Sequence, residues 1–222
     1  MEQSLRISRA IEQSLGLSGN EIYAKGLELI KKYNLSGSIL DFGSGRGRFL
    51  QIMSQMNFTR VTGADLMEKP ADLPSTCGWI QHDLNDELPM TEQFDSVIGM
   101  EVIEHLENPR KMVRECHRLL KPGGKLILST PNNLSIRSIL ALIMRGHFVS
   151  FLEKDYPAHI TALTRLDLER ILTESGFTDI AFYFTNKGLV PGLRGLTWQK
   201  LSLGFLQGEK FSDNIFVVAI KS

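Results

Sequence analysis

The stretch Ile39-Leu40-Asp41-Phe42-Gly43-Ser44-Gly45-Arg46-Gly47-Arg48-Phe49-Leu50 sets a short apolar strand, closed by an acidic residue, against three alternating glycines and the start of a helix. Glycine adopts backbone conformations that a Cβ forbids. The chain can therefore turn sharply here and bring peptide N–H groups close to a ligand before the helix begins. Such a pattern points to a site for a nucleotide-type cofactor, and the spacing narrows which one. A dinucleotide fingerprint reads G-x-G-x-x-G. Here the third glycine, Gly47, comes one residue early and Arg48 stands at the fingerprint's position. Asp41, two residues before the first glycine, would sit poorly beside a pyrophosphate and well beside a cationic ligand.

The run Asp41-x-Gly43-x-Gly45-x-Gly47 resembles the first motif of class I S-adenosylmethionine-dependent methyltransferases, whose cofactor carries an ammonium and a sulfonium in place of phosphates. Four later segments match the family in order and interval. Arg60-Val61-Thr62-Gly63-Ala64-Asp65 reads as a second strand ending in a carboxylate, and an acid there can accept both ribose hydroxyls. Trp79-Ile80-Gln81-His82-Asp83-Leu84 reads as a third strand; the resemblance places Asp83 near the adenine amino group and Leu84 against the ring. Phe94 to Leu106 resembles the fourth strand and its turn, and Leu119-Leu120-Lys121-Pro122-Gly123-Gly124 opens the fifth. The resemblance implies S-adenosylmethionine as cofactor, bound by Asp41, Gly43, Ser44, Gly45, Gly47, Asp65, Leu66, Asp83, Leu84 and Met100. It also implies a doubly wound, Rossmann-like α/β fold with a seven-stranded sheet, mostly parallel with an antiparallel last strand.

A chain of 222 residues that is 42% apolar can bury one well-packed α/β domain, and a single domain over 1–222 is expected. The 25 basic and 25 acidic residues cancel, so no global field draws the chain to nucleic acid. Cys77 and Cys116 are isolated and read as buried thiols, which suits a reducing cytoplasm. Met1 to Leu17 lacks the apolar region of a secretory signal, and the apolar run within Ile136–Met144 is far short of the ~20 residues that span a bilayer. A soluble, cytoplasmic protein is the expectation.

Helical periodicity covers residues 3–33, with Asn20 as an expected N-cap and Asn34 as a stop; residues 1–34 would form a helical cap beside the cofactor. Strands are expected near 38–42, 60–64, 79–82, 94–100 and 125–129, with helices near 47–56 and 109–120. This alternation places a ligand crevice at the carboxyl ends of parallel strands. Beyond residue 130, a mainly apolar helix and an aromatic stretch fill 133–160. Thr164-Arg165-Leu166-Asp167 reads as a capping box, and strands near 178–184 and 214–220 complete the sheet. Residues 133–160 and 188–208 are apolar insertions expected on the acceptor side. The first, with the N-terminal helices, would form a lid, and Gly146 is a candidate hinge.

Methyl transfer to an alcohol, phenol or carbon acid needs a base, for which His105 is the first catalytic candidate and His159 the second. Glu101, Glu104, Asp155 and Tyr156 are further groups near the expected crevice. Each has a structural alternative: His105 a hydrogen bond, His159 a helix cap. Glu101, Glu104 and His105 fall at i, i+3 and i+4, and if helical would share a face able to hold a divalent ion. A solvated helix start explains the glutamates equally well, and no metal is expected. Amino-methyltransferases usually carry an Asn/Asp-Pro-Pro-aromatic turn after the fourth strand; this chain reads Gly99-Met100-Glu101-Val102 there.

The later part of the chain is similar to quinone-pathway and surface-polysaccharide methyltransferases. That similarity implies O-methylation of a small-molecule or lipid-linked acceptor, with peripheral membrane contact or oligomer formation through the apolar C-terminal insertion, and no nucleic-acid partner. The competing expectations are N- or C-methylation of a small molecule, or a non-catalytic module that senses the cofactor or scaffolds a partner.

Overall fold

Local rules place the first described helix. The computed structural model describes residues 16–193 and 195–222; the helical expectation for residues 3–15 lies outside the described residues. Helix α1 (Asn20–Lys32) buries Ile22, Tyr23, Gly26, Leu29 and Ile30, a spacing that puts all five on one face. Its N-cap is Gly19, not Asn20, and no side chain caps it. Asn34 ends the helical run in a left-handed conformation (φ 50°), which asparagine tolerates better than most residues.

Strand–helix alternation follows as expected: β1 (Ile39–Phe42), α2 (Arg48–Gln55), β2 (Val61–Asp65), β3 (Gly78–Gln81), β4 (Phe94–Met100), α3 (Pro109–Leu119) and β5 (Leu120–Pro131). Asn108 caps α3 by accepting a hydrogen bond from the Lys111 N–H, with proline at the first helical position. Next come α4 (Ile136–Arg145), α5 (Arg165–Glu174), β6 (Phe177–Phe184), the single turn α6 (Trp198–Leu201) and β7 (Asn214–Lys221). The expected capping box at Thr164 and Asp167 opens α5. Strand β5 starts five residues earlier than the apolar run suggested, because Leu120 pairs with Phe94 across an irregularity before the regular Ser96–Lys125 register begins.

The seven strands run in the order β3-β2-β1-β4-β5-β7-β6. β1 to β5 are parallel, and β7 is antiparallel to both β5 and β6. Alternation along each strand feeds two cores. Leu40, Val97, Leu126 and Val217 face Met112, Leu119 and Leu172, while Ile39, Ile98, Ile127 and Phe216 join a cluster with Leu29, Leu50 and Met53. Each such buried side chain contributes about 1.5–3 kcal/mol, which anchors the strand ends where the loops converge. Strand order reverses between β1 and β4, the place where an open α/β sheet leaves a crevice. Cys77 and Cys116 are both buried free thiols.

Candidate functional site

A crevice of about 1370 Å³ opens at that reversal. A site for one small ligand usually spans about 300–1000 Å³, so there is room for two. Its walls come from the turns after β1, β2, β3 and β4, from Tyr23 of α1, and from Asp155–Ile160. A smaller cavity of about 470 Å³ lies at the opposite ends of the strands, beside Arg60 and Lys121, and holds none of the glycine-turn residues.

In one half, Gly43, Gly45 and Gly47 all have positive φ (86°, 52° and 68°). A Cβ on Gly43 would lie 2.5 Å from a Val102 methyl carbon, and one on Gly45 would strike the Gly16 carbonyl. The N–H groups of this turn are directed differently from expectation. Gly43 and Ser44 donate to the Ala64 carbonyl, Arg46 to Gly16, Gly47 to Ser44, and Gly45 to Asp65 Oδ2 at 2.7 Å. The glycines therefore supply close backbone approach, and these N–H groups are already satisfied within the fold. Gly47 is not among the lining residues, and its Cα faces Leu73.

Asp65 accepts from Gly45 N–H with one oxygen and from Met67 N–H (2.9 Å) with the other. Each oxygen keeps a second lone pair for a ligand hydroxyl. Burial raises its carboxyl above the usual range. Asp41 is buried, and its Oδ2 has no hydrogen-bond partner. Burial pushes this carboxyl up to about 7, with the Ser44 hydroxyl opposing the rise and Asp65 adding to it. An orphaned buried carboxylate beside a glycine turn fits a cationic group, such as the ammonium of S-adenosylmethionine. Asp83 accepts from Asn85 N–H at 2.9 Å and lines the crevice with Leu84, Leu66 and Met100; Ser44 lines it too, donating its hydroxyl to the Asp41 carbonyl.

In the other half, His105 and His159 meet edge to face with ring centroids 4.7 Å apart. His105 Nδ1 lies 2.8 Å from the Ala158 carbonyl, and His159 Nδ1 contacts the Ser150 carbonyl. A carbonyl only accepts, so both Nδ1 atoms carry the proton and both Nε2 atoms are unprotonated in the neutral rings. Burial, then the neighbouring His159, push His105 down to about 4, against the raising effect of the Ala158 and Glu101 carbonyls. Glu104 lies directly behind, fully buried, with Oε2 accepting from Thr130 Oγ1 and Oε1 unpartnered. Burial holds its carboxyl well above the carboxylate range.

Glu101 departs from the helical arrangement expected of it. Its φ of 52° turns it away from the single 3₁₀ turn Ile103–His105, and its carboxyl accepts from Ser129 Oγ (3.1 Å) and Asn214 Nδ2 (3.0 Å). The donor atoms of Glu104, His105 and His159 instead lie within 4.8 Å of one another, close enough to share a divalent cation. This grouping brings in a residue from a distant loop, which local spacing could not reveal.

The Asp155–Ile160 wall is held rather than free. Ile160 and Thr161 N–H both donate to the Glu104 carbonyl at 3.0 Å, and Thr161 Oγ1 donates to the Leu106 carbonyl at 2.9 Å. Gly146 closes α4 as a left-handed C-cap. None of the described residues in 188–208 lines the crevice; Trp198 packs on Phe211, and Asn132 ties the segment down through the Glu209 and Ser212 carbonyls. Tyr23 is a crevice residue that local sequence does not mark. It stacks on Phe49 at 5.8 Å, accepts from Ser18 N–H and lines the crevice.

This fold and crevice define a Rossmann-like class of nucleotide-cofactor enzyme, and comparison with known proteins names the family. Residues 19–181 match the family described as methyltransferase domain. The chain belongs to that family and is an S-adenosylmethionine-dependent methyltransferase. It is 29% identical to the ubiquinone biosynthesis O-methyltransferase of Idiomarina loihiensis over 194 residues, 82% of this chain and 74% of the relative. The protein of that name from Pseudomonas syringae is 32% identical over 136 residues, 56% of this chain and 57% of its own length. A solved S-adenosylmethionine-dependent methyltransferase from Thermotoga maritima shares the fold with a TM-score of 0.65 at 17% identity, over 90% of this chain and 89% of its own.

Proposed function

We propose that the enzyme transfers a methyl group to a hydroxyl of a small or lipid-linked molecule, with His159 as general base. Asp41 would hold the cofactor's ammonium, Asp65 its ribose hydroxyls, and Asp83 with Leu84 its adenine end. S-adenosylmethionine, when bound, supplies an electrophilic methyl group and most of the driving force. The chain's own work is alignment and proton removal. As the new O–C bond forms, the acceptor's O–H proton passes to His159 Nε2. The Ser150 carbonyl keeps the ring in the tautomer that leaves this nitrogen free. His105, lowered by burial and held by the Ala158 carbonyl, would position its neighbour. Glu104, close behind both rings, is kept protonated by burial, and a positive charge forming on His159 would favour its ionised form.

The observation that carries this assignment is the locked histidine pair in the half of the crevice away from the glycine turn. The two O-methyltransferase relatives named above support the same acceptor atom. Labelled S-adenosylmethionine incubated with a small-molecule extract tests it. Label should enter small molecules, and His159→Ala should lower kcat by about 10²–10⁴-fold while leaving S-adenosylhomocysteine affinity intact. Label in protein or nucleic acid, or an unaffected kcat, would refute it.

Among the described residues no helix is long and apolar enough to cross a membrane. Leu203 and Phe205 are nonetheless 89% and 86% exposed beside Lys200. Peripheral contact of this segment with a lipid surface would suit a lipid-linked acceptor. Flotation with vesicles tests that role, and sedimentation tests the alternative, pairing of two copies through the same segment.

A further inference from the structure

We infer that Asn85 is a positioning residue for the cofactor's base: it locks the Asp83 carboxylate so that Oδ2 is presented to a 6-amino group, and so sets a preference for adenine over purines with an oxygen there. The inference rests on the placement of adenine beside Asp83 and Leu84 proposed above, and deepens it.

Asp83 stands two residues beyond the end of β3, in a turn closed by the Asp86 N–H, which donates to the Asp83 carbonyl at 3.0 Å. A carboxylate on such a turn can occupy several staggered positions unless its neighbours hold it. Asn85 holds it twice. Its backbone N–H (2.9 Å) and its Nδ2 (3.0 Å) both donate to Asp83 Oδ1. A carboxylate oxygen has about two acceptor sites, so those of Oδ1 are taken and a ligand's donor is left to Oδ2.

Asn85 is itself held from the other side. Its Oδ1 accepts from the Glu107 N–H at 2.9 Å, just beyond the 3₁₀ turn Ile103–His105. Since a carboxylate only accepts and an N–H only donates, the two contacts allow one orientation of the amide and no flip. Asp83, Leu84, Asn85 and Glu107 all line the crevice, so the amide spans the turns after β3 and β4 at its wall. The Lys111–Asp86 pair, at 3.1 Å, is a second tie between the same turns and does not depend on the amide. Adenine carries an amino donor at its 6-position; hypoxanthine and guanine carry a carbonyl oxygen, which a fixed carboxylate repels. A carboxylate free to rotate turns away from that oxygen and discriminates less.

The test measures, by titration calorimetry on the full chain, the affinities of S-adenosylhomocysteine and of S-inosylhomocysteine, whose base has an oxygen in place of the 6-amino group. Wild type should prefer the adenosyl compound at least about tenfold. Asn85→Asp keeps the acceptor for Glu107 and replaces the Nδ2 donor by an oxygen facing Asp83. Its preference should fall at least about threefold, chiefly through weaker adenosyl binding, with the melting temperature as the control for folding. Asn85→Ala, which also releases Glu107, should show the same fall. Equal weakening of both ligands, or an unchanged preference in both variants, would overturn the inference and leave the adenine placement standing. Equal affinity of wild type for the two ligands would overturn that placement, and the inference with it.

Discussion

Asp41 makes the cofactor half testable through protons. Its buried carboxyl, with Oδ2 unpartnered, titrates near 7 in the ligand-free fold. About 0.9 of a proton therefore rides on it at pH 6, and about 0.1 at pH 8. An ammonium brought against that oxygen favours the ionised form and lowers the pKa, so binding must release the proton. Titration calorimetry of S-adenosylhomocysteine in buffers of different ionisation enthalpy should report release approaching one proton at pH 6 and almost none at pH 8. Asp41→Asn should remove that component and weaken binding. Glu101, also pushed up to about 7, bonds to Ser129 and Asn214 and gives the same background in both proteins. The substitution has a second, opposite consequence. A carboxyl raised from 3.8 loses folded-state stability as pH climbs from about 4 to about 7, after which the loss is constant at no more than about 4 kcal/mol. Ligand-free Asp41→Asn should thus melt several degrees above wild type at pH 7.5, with the gap closing at pH 4. Equal proton release by both proteins at pH 6, with binding retained, would refute the assignment of Asp41 to the ammonium.

Three further outcomes follow from named contacts. Asp65→Ala should weaken S-adenosylhomocysteine binding at least about 100-fold by calorimetry, since both its oxygens also order the turns at Gly45 and Met67. Gly43→Ala forces a Cβ onto a left-handed residue and against the branched Val102 side chain, so cofactor affinity should fall at least about tenfold, while Gly123→Ala, with open space around it, leaves binding unchanged. Asp95 is held well below the usual carboxylate range by Lys121 and by Ser38, so its contribution is present above about pH 4 and is lost as pH falls further. In urea unfolding Asp95→Asn should cost about 1 kcal/mol at pH 7, the pair being partly exposed, and progressively less below pH 4.

What could be read in advance was whatever depends on neighbours in the chain. Short apolar runs placed β4 and β6 closely, Thr164 and Asp167 announced α5, and the glycine spacing located the crevice. What could not be read depends on contacts between distant residues. The pairing of Leu120 with Phe94 lengthened β5 beyond its apolar run. A left-handed Glu101 broke the shared face that i, i+3, i+4 spacing implied, and His159 joined Glu104 and His105 instead. The turn's N–H groups, expected to meet the ligand, are taken by Ala64, Asp65, Gly16 and Ser44, all but the last brought there by tertiary packing. Apolar composition records that the segment 188–208 needs a partner, not which one, and Trp198 packs on Phe211.

The most direct test of the central claim follows the methyl carbon itself. Enzyme, S-adenosylmethionine labelled with ¹³C in its methyl group, and the small-molecule extract are incubated together, and the labelled product is observed by carbon NMR. A methyl ether signal that is lost in the Asp65→Ala enzyme, and strongly reduced in His159→Ala, is the predicted result. A methyl bonded to nitrogen or carbon, or an ether signal undiminished in His159→Ala, would contradict transfer to a hydroxyl assisted by the histidine pair.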